Sequence, residues 1–459
     1  MLTQTPVATK IAAAGNLLDR RYPAGSRVVL VVPPYRTNDA RVLSQGLAAA
    51  GDPVLGPDGH EVYFPGKARP QGTWQIYVVS LTGGRPRALT QVAGGAMNPA
   101  IIAHGDLVFC SPVPIAGRTG KVPPRTGIYA QGAEGRPRRL TFGAADAREA
   151  TVLKDGRILF VSATFTTNAS PTPKTVLFTI NNDGTEVTAF AGQHDRQPGM
   201  HRPRELGDGR VAFLTSLDGA PGNDGVAESV SRARPFMSRQ ALFGFMTSRC
   251  RSVEPGGGDS VLACLDTTGL MGRAMKGSFA VYQIRPGATA AGQPLFDDPA
   301  WNDLEATRVM PRPRPMGHLS AMIPTNKTGT ILCLDANRST EALSAGTGPK
   351  AVRVRVIGET APGQVRSLGL SDIQPDGSFM VEVPVDVPLG FETLDERNQV
   401  VRQSPPALWV RAGENRSCIG CHEPHNHSPR NARPRAANFP PAALCPEPGA
   451  SVASSNTRP

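Results

Sequence analysis

The residues in this chain whose types and spacing best suit chemistry are Cys418-Ile419-Gly420-Cys421-His422. Two cysteines three positions apart, followed directly by a histidine, form the attachment signature of c-type haem. Both thiols can reach the vinyl groups on one edge of a porphyrin, and His422 then lies under the ring with a nitrogen aimed at iron. Covalent attachment lets a short segment hold haem without a large apolar pocket. Axial ligands and local polarity would then set the potential. Cys418 and Cys421 are therefore the expected haem c attachment points and His422 the expected iron ligand.

The same residues admit rival chemistries. Cys418 and Cys421 could form half of a zinc site, completed by His422, His425, His427 or Cys445. The lack of a second closely spaced cysteine pair weighs against it. A thioredoxin-like redox pair would need a βαβ context, which the surrounding sequence lacks. The ligand on the far face of the haem stays open. His425 and His427 lie close to His422 in sequence, and a metal could use them. His194, Met200 and His201 fall in an expected loop from Gln193 to Pro203 that could cap the haem. A filled sixth position would mean electron transfer, and an open one small-molecule chemistry. Other catalytic signatures are missing: there is no Gly-x-Ser-x-Gly elbow, phosphate loop or His-Glu-x-x-His.

Something must position the motif, and the preceding sequence reads as short strands. Four segments repeat a Gly-containing turn followed by an apolar strand: Pro57–Phe64, His104–Phe109, Lys154–Phe160 and Gly207–Phe213. Their glycines, Gly59, Gly105, Gly156 and Gly209, recur at a spacing of roughly fifty residues, within the range of propeller blades. Second strands follow in three of them, at Trp74–Val79, Gly127–Ala130 and Thr175–Ile180. A single blade cannot bury both faces of its sheet, so neighbours must stack around an axis. The repeats resemble TolB-type propellers. With the later strands Ser260–Leu265 and Gly329–Leu334, about six blades are predicted over residues 27–340. A small antiparallel β module is predicted over 350–411, where Phe379, Val381 and Val383 share a face. Residues 412–459 read as the haem-binding segment and an extended tail. The fold class is mainly β.

Composition agrees. The 459 residues include 49 Gly and 44 Pro but only 5% aromatics, which favours turns and short strands over long helices. The formal charge is +11, mostly scattered arginine that reads as a solvated basic surface attractive to acidic partners. Without clustered basic residues, interleaved aromatics or a known module, nucleic-acid binding is not expected. No stretch approaches the ~18 apolar residues of a membrane span. Seven cysteines, an odd number with one close pair, argue against a disulfide framework. The sole apolar stretch near the N-terminus, Ile11–Gly15, is too short for a signal peptide.

Pro311–His318, Gly329–Leu334, Asp376–Pro384 and above all Trp409–Pro424 resemble the hydrazine synthase alpha-subunit-related proteins. That resemblance implies a propeller, a middle domain with covalent haem, and export to the periplasm or an equivalent compartment. It implies thioether positions at Cys418 and Cys421 and also a zinc ion at the motif histidine with a tyrosine near the iron. Here Glu-Pro-His-Asn-His follows His422 without a tyrosine, so His422 is kept as the iron ligand and zinc as a minor option. Cys110 could contribute to such a zinc site, although a structural strand-end cysteine is the simpler reading. The related subunit carries a second haem motif, whereas this sequence contains one, so hydrazine synthesis is not expected. Two functions remain. One is a monohaem redox protein exchanging electrons with a partner protein or a small molecule. The other is a non-enzymatic propeller scaffold with a structural zinc or vestigial Cys/His site.

Overall fold

The computed structural model describes residues 1–7, 17–113, 125–133, 135–143, 145–164, 174–193, 199–216, 224–245, 249–266, 279–339, 349–361, 364–420 and 431–445. These divide into two compact units, one of residues 1–139, 146–182 and 188–318, the other of residues 140–145, 183–187 and 319–459.

The first unit is a ring of six sheets. In four of them an inner strand leads through a Gly turn into the apolar second strand. The turn glycines Gly59, Gly105, Gly156 and Gly209 all adopt positive φ, at 78°, 87°, 91° and 82°. Asp58, Asp155 and Asp208 accept the backbone N–H two residues on, at 3.2, 3.1 and 3.0 Å, fixing the turns from within. The second strands carry the core: Val62 and Phe64, Val108 and Phe109, Leu159 and Val161, Val211 and Phe213 are buried.

Ring closure lies where the sequence was least informative. Leu2–Pro6 forms a strand, ahead of the expected boundary at residue 27. It pairs with Arg27–Leu30 on one side and with Trp301–Leu304 on the other. One sheet is thus built from both ends of the ring. Gly329–Leu334, expected to complete the propeller, belongs instead to the second unit, inside the strand Thr328–Asp335.

Near the ring axis, inner strands bring together residues forced into the left-handed region. Asp52, Asn98, Glu149, Arg202 and Glu305 have φ between 50° and 56°. Such conformations cost of order 1–3 kcal/mol each and persist only where surroundings over-determine them. Here the side chains bond one another. Asn98 Nδ2 donates to Asp52 at 3.0 Å, Arg202 Nη2 to Asp52 at 3.1 Å, and the Arg202 N–H to Glu149 at 2.6 Å. The buried Glu305 carboxylate accepts from Thr3 Oγ1 and the Asp52 N–H, both at 2.8 Å, from Arg21 Nε at 2.8 Å, and from the Tyr22 hydroxyl. Arg202 Nη1 lies 3.1 Å from it. Burial alone would raise this carboxyl's pKa, but Arg202 and Arg21 hold it well below the usual range.

The second unit is centred on two sheets. Phe379–Pro384, Thr328–Asp335 and Asn415–Gly420 form one, the last two strands running parallel. Gln364–Asp372, Arg353–Ala361, Leu389–Leu394 and Val400–Leu408 form the other. Ile331, Val354, Val356, Val381, Leu389 and Phe391 form their shared core, with Phe379, Val381 and Val383 on one face as the alternation predicts. The module therefore includes strands on both sides of residues 350–411. The following chain is not simply extended. Ala442 donates its N–H to Met380 at 2.9 Å and accepts from Glu382 at 3.0 Å, and Cys445 exchanges two bonds with Leu370.

Glu305→Gln should destabilise the first unit by about 3–5 kcal/mol, because it leaves the buried guanidiniums of Arg21 and Arg202 without their shared counter-charge. Urea unfolding followed by tryptophan fluorescence checks this, and a loss under 1 kcal/mol would show that closure does not depend on Glu305.

Candidate functional site

The strand Asn415–Gly420 places Cys418 at the edge of the three-stranded sheet. A buried turn sets its position. The Glu414 carboxylate accepts the Arg411 N–H at 2.7 Å and the Glu186 N–H at 2.9 Å, while Thr330 donates its N–H to the Glu414 carbonyl at 2.8 Å. Burial raises the Glu414 pKa, with these two N–H donors opposing the shift. Trp409 Nε1 donates to the Gly184 carbonyl at 3.0 Å. The specific run from Trp409 is thus the mount of the motif's first cysteine.

Cys418 is half-buried and registers directly against Cys333 on the neighbouring strand. Both line a cavity of about 160 Å³. Its apolar wall comes from Ile331, Phe379, Phe391 and Leu408, its polar side from Thr393, Arg402, Gln403 and Ser404. Arg402 Nη1 is buried there with no hydrogen-bond partner. Gly420 is required by close approach, since a Cβ there would lie 2.5 Å from the Arg338 carbonyl oxygen.

A porphyrin is far larger than this cavity, but one of its edges suits the place. Cys418 offers a thiol, the wall is apolar, and Arg402 presents a buried cationic donor with an unmet bond, as a haem carboxylate would require. The residues described fit the group. Arg402 carries no motif, and only the alternation of its strand hints that it faces inward.

Cys421, His422, His425, His427 and His194 lie outside the described residues. Cys110 and His201 lie in the first unit. Cys110 is fully buried in the strand Leu107–Pro112, and burial pushes its thiol up to about 12. His201 lies on the inner strand Met200–Glu205 rather than in a loop, its side chain buried and its Nδ1 4.0 Å from Glu149. Neither ring nitrogen has a hydrogen-bond partner. Among the described residues no group of three or more His, Cys, Asp or Glu could hold a metal ion. No helix among them is long and apolar enough to cross a membrane.

A six-sheet propeller followed by a β module that leads into Cys-x-x-Cys-His defines the class of this chain. Residues 323–423 match the family model of the hydrazine synthase alpha subunit middle domain. The chain is 22% identical to hydrazine synthase subunit alpha of Kuenenia stuttgartiensis, over 92% of this chain and 65% of that protein. The solved hydrazine synthase of Kuenenia stuttgartiensis matches 95% of this chain and 71% of its own at 19% identity, with a TM-score of 0.81. A putative TolB from Agrobacterium tumefaciens covers 54% of the chain at 20% identity with a TM-score of 0.37. The chain is related to the hydrazine synthase alpha subunit and spans 65% of the length of that curated relative.

The buried His201 yields a signed pH dependence. Burial lowers its pKa to about 4, with Glu149 opposing and Arg148 and Arg21 adding to the shift. Because the folded pKa lies below the unfolded value near 6.5, its contribution is intact above ~6.5 and is lost as pH falls toward 4. Between pH 6.5 and pH 5 the loss should be about 1.5 kcal/mol. In urea unfolding at both values, His201→Gln should lack that part of the acid sensitivity. An unchanged difference between the two pH values would refute the assignment.

Proposed function

We propose that this chain is an exported monohaem c-type protein, with haem attached at Cys418 and Cys421 and His422 as an axial ligand. Its role is electron exchange with a partner protein or redox chemistry on a small molecule. The observation that carries the reading is the Cys418 thiol on a largely apolar cavity that it shares with Arg402, whose buried Nη1 has an unmet donor, with Cys421-His422 following after Ile419-Gly420. Haem held there would supply a one-electron iron couple. The chain's own residues would do the rest: the strand and its Glu414 turn fix the first thiol, Ile331, Phe379 and Phe391 exclude water from one edge, and Arg402 stabilises a carboxylate.

The test is expression in the periplasm of a host with haem-maturation machinery, then acidified-solvent extraction and a pyridine haemochrome spectrum. Haem should stay with the polypeptide and show the α band of two thioethers. Cys418→Ala and Cys421→Ala should each shift that band toward a single thioether. Colourless protein containing zinc would overturn the haem reading and leave the propeller scaffold.

Arg402 makes a second expectation. Arg402→Gln should leave the haem covalently bound and lower its midpoint potential, since removing a nearby cation favours the more positive oxidised iron. Spectroelectrochemistry reads the shift, and an unchanged potential would mean that Arg402 does not face the haem.

A further inference from the structure

The first unit contains a larger cavity that the haem reading does not use. It has a volume of about 480 Å³ and lies where the inner strands of the ring end. That is the size of a pocket for a small organic molecule. Val54, Ile101, Val152 and Leu206, one from each of four successive sheets, contribute its apolar walls, and Asp52 and Asn98 part of its polar lining.

The segment Thr307–Met316 lines one side. It leaves the closing strand Trp301–Leu304 and is tied to the turns of other sheets. Arg312 donates its N–H to the Pro57 carbonyl and Met316 to the Lys154 carbonyl, both at 2.9 Å. The strap lies so close to the second turn that a Cβ on Gly156 would collide with the Met316 carbonyl. Pro311, Pro313 and Pro315 fix φ at alternate positions, so the two arginines between them project from a stiff backbone.

The charges on this lining are unequal in their pairing. Arg204 is neutralised by Glu254 at 2.7 Å and Asp52 at 3.5 Å. Arg308 Nη1 donates to the Gly256 carbonyl at 2.8 Å. The guanidiniums of Arg312 and Arg314 make no hydrogen bond or ion pair with any described residue, although both line the cavity. A partly enclosed guanidinium over apolar walls is suited to a carboxylate, sulfonate or phosphate, whose bonds to it are charge-assisted.

We propose that this cavity binds a small organic anion, its apolar body against Val54, Ile101, Val152 and Leu206 and its anionic head on Arg312, with Arg314 beside it. The site is independent of the haem.

The probe is 8-anilinonaphthalene-1-sulfonate, an apolar body with one anionic head, titrated into the folded full-length chain by fluorescence. N-phenyl-1-naphthylamine serves as its uncharged counterpart. One saturable site per chain is expected for the sulfonate. Arg312→Gln should weaken it roughly tenfold, about the worth of one charge-assisted bond, while Arg312→Lys should recover part of the loss. The uncharged dye should bind the wild type and Arg312→Gln alike, and Ala100→Trp, which fills the cavity, should remove both dyes. Circular dichroism confirms that each variant is folded. If Arg312→Gln does not fold, Arg314→Gln takes its place and must weaken the sulfonate selectively. Sulfonate affinity within twofold of wild type in the folded arginine variant, or sulfonate binding that survives Ala100→Trp, would overturn the proposal.

Discussion

A ring of sheets has no ends, whereas a chain has two, so the propeller depends on a join. The join here is a strand from the N-terminus inserted between two others, and its strength is concentrated around one carboxylate. Glu305, directly after the closing strand, accepts bonds from Thr3 in the inserted strand, from Arg21 and Tyr22 behind it, and from the Asp52 backbone of the next sheet. A carboxylate in such surroundings is costly to bury unless it is fully paired. Two guanidiniums and a phenol pair it, and burial with Glu305 pushes the Tyr22 hydroxyl well above its ordinary pKa, keeping it a donor. The left-handed backbones at Asp52, Asn98, Glu149 and Arg202 are held by the same network that they help to form. Strain and pairing therefore stand or fall together.

From that join the rest is positioned. The closing strand fixes where the strap Thr307–Met316 begins, and so where Arg312 and Arg314 meet the inner strand ends. In the second unit the equivalent constraint is the parallel pairing of Asn415–Gly420 with Thr328–Asp335. Parallel partners need a long connection. Here the connection contains the whole four-stranded sheet and the strand Phe379–Pro384, so Cys418 sits on a strand of a packed module rather than on a tail. A thiol held by strand register has a defined reach. That is the property a covalent cofactor edge requires.

Much of this was legible. The Gly turns and the apolar strands after them carry their own local physics, so their fifty-residue rhythm survives in the sequence. The strand Leu2–Pro6 was not legible, because Leu-Thr-Gln-Thr-Pro has little apolar content and one of its two partners lies some three hundred residues away. Gly329–Leu334 looked like a blade strand because an apolar run declares burial but not its neighbour. His201 looked like a loop residue because Pro203 and its charged flanks mask a strand whose register shifts between His201 and Arg204. Residues 431–445 show no periodicity because their docking uses backbone bonds to Met380, Glu382 and Leu370, which leave no side-chain pattern. Cys418 was plain from its motif, and Arg402 invisible without the fold.

The arginine excess takes on a different meaning once the ring is seen. Read as scattered surface charge, it suggests only diffuse attraction to acidic partners. In the structure Arg21 and Arg202 are buried at the join, and Arg204 is paired beside it. They answer the carboxylates that the left-handed positions bring together. Arg312 and Arg314 differ because no carboxylate in the described chain forms an ion pair with them, Glu254 attracting Arg312 only at longer range and already paired with Arg204. Arginine keeps its charge even when partly desolvated, so the imbalance on that wall cannot be relieved by losing a proton. It can be relieved only by solvent or by an anion. Walls of valine, isoleucine and leucine give an anion with an apolar body the advantage over water alone, because they reward its burial while the guanidinium retains its bond.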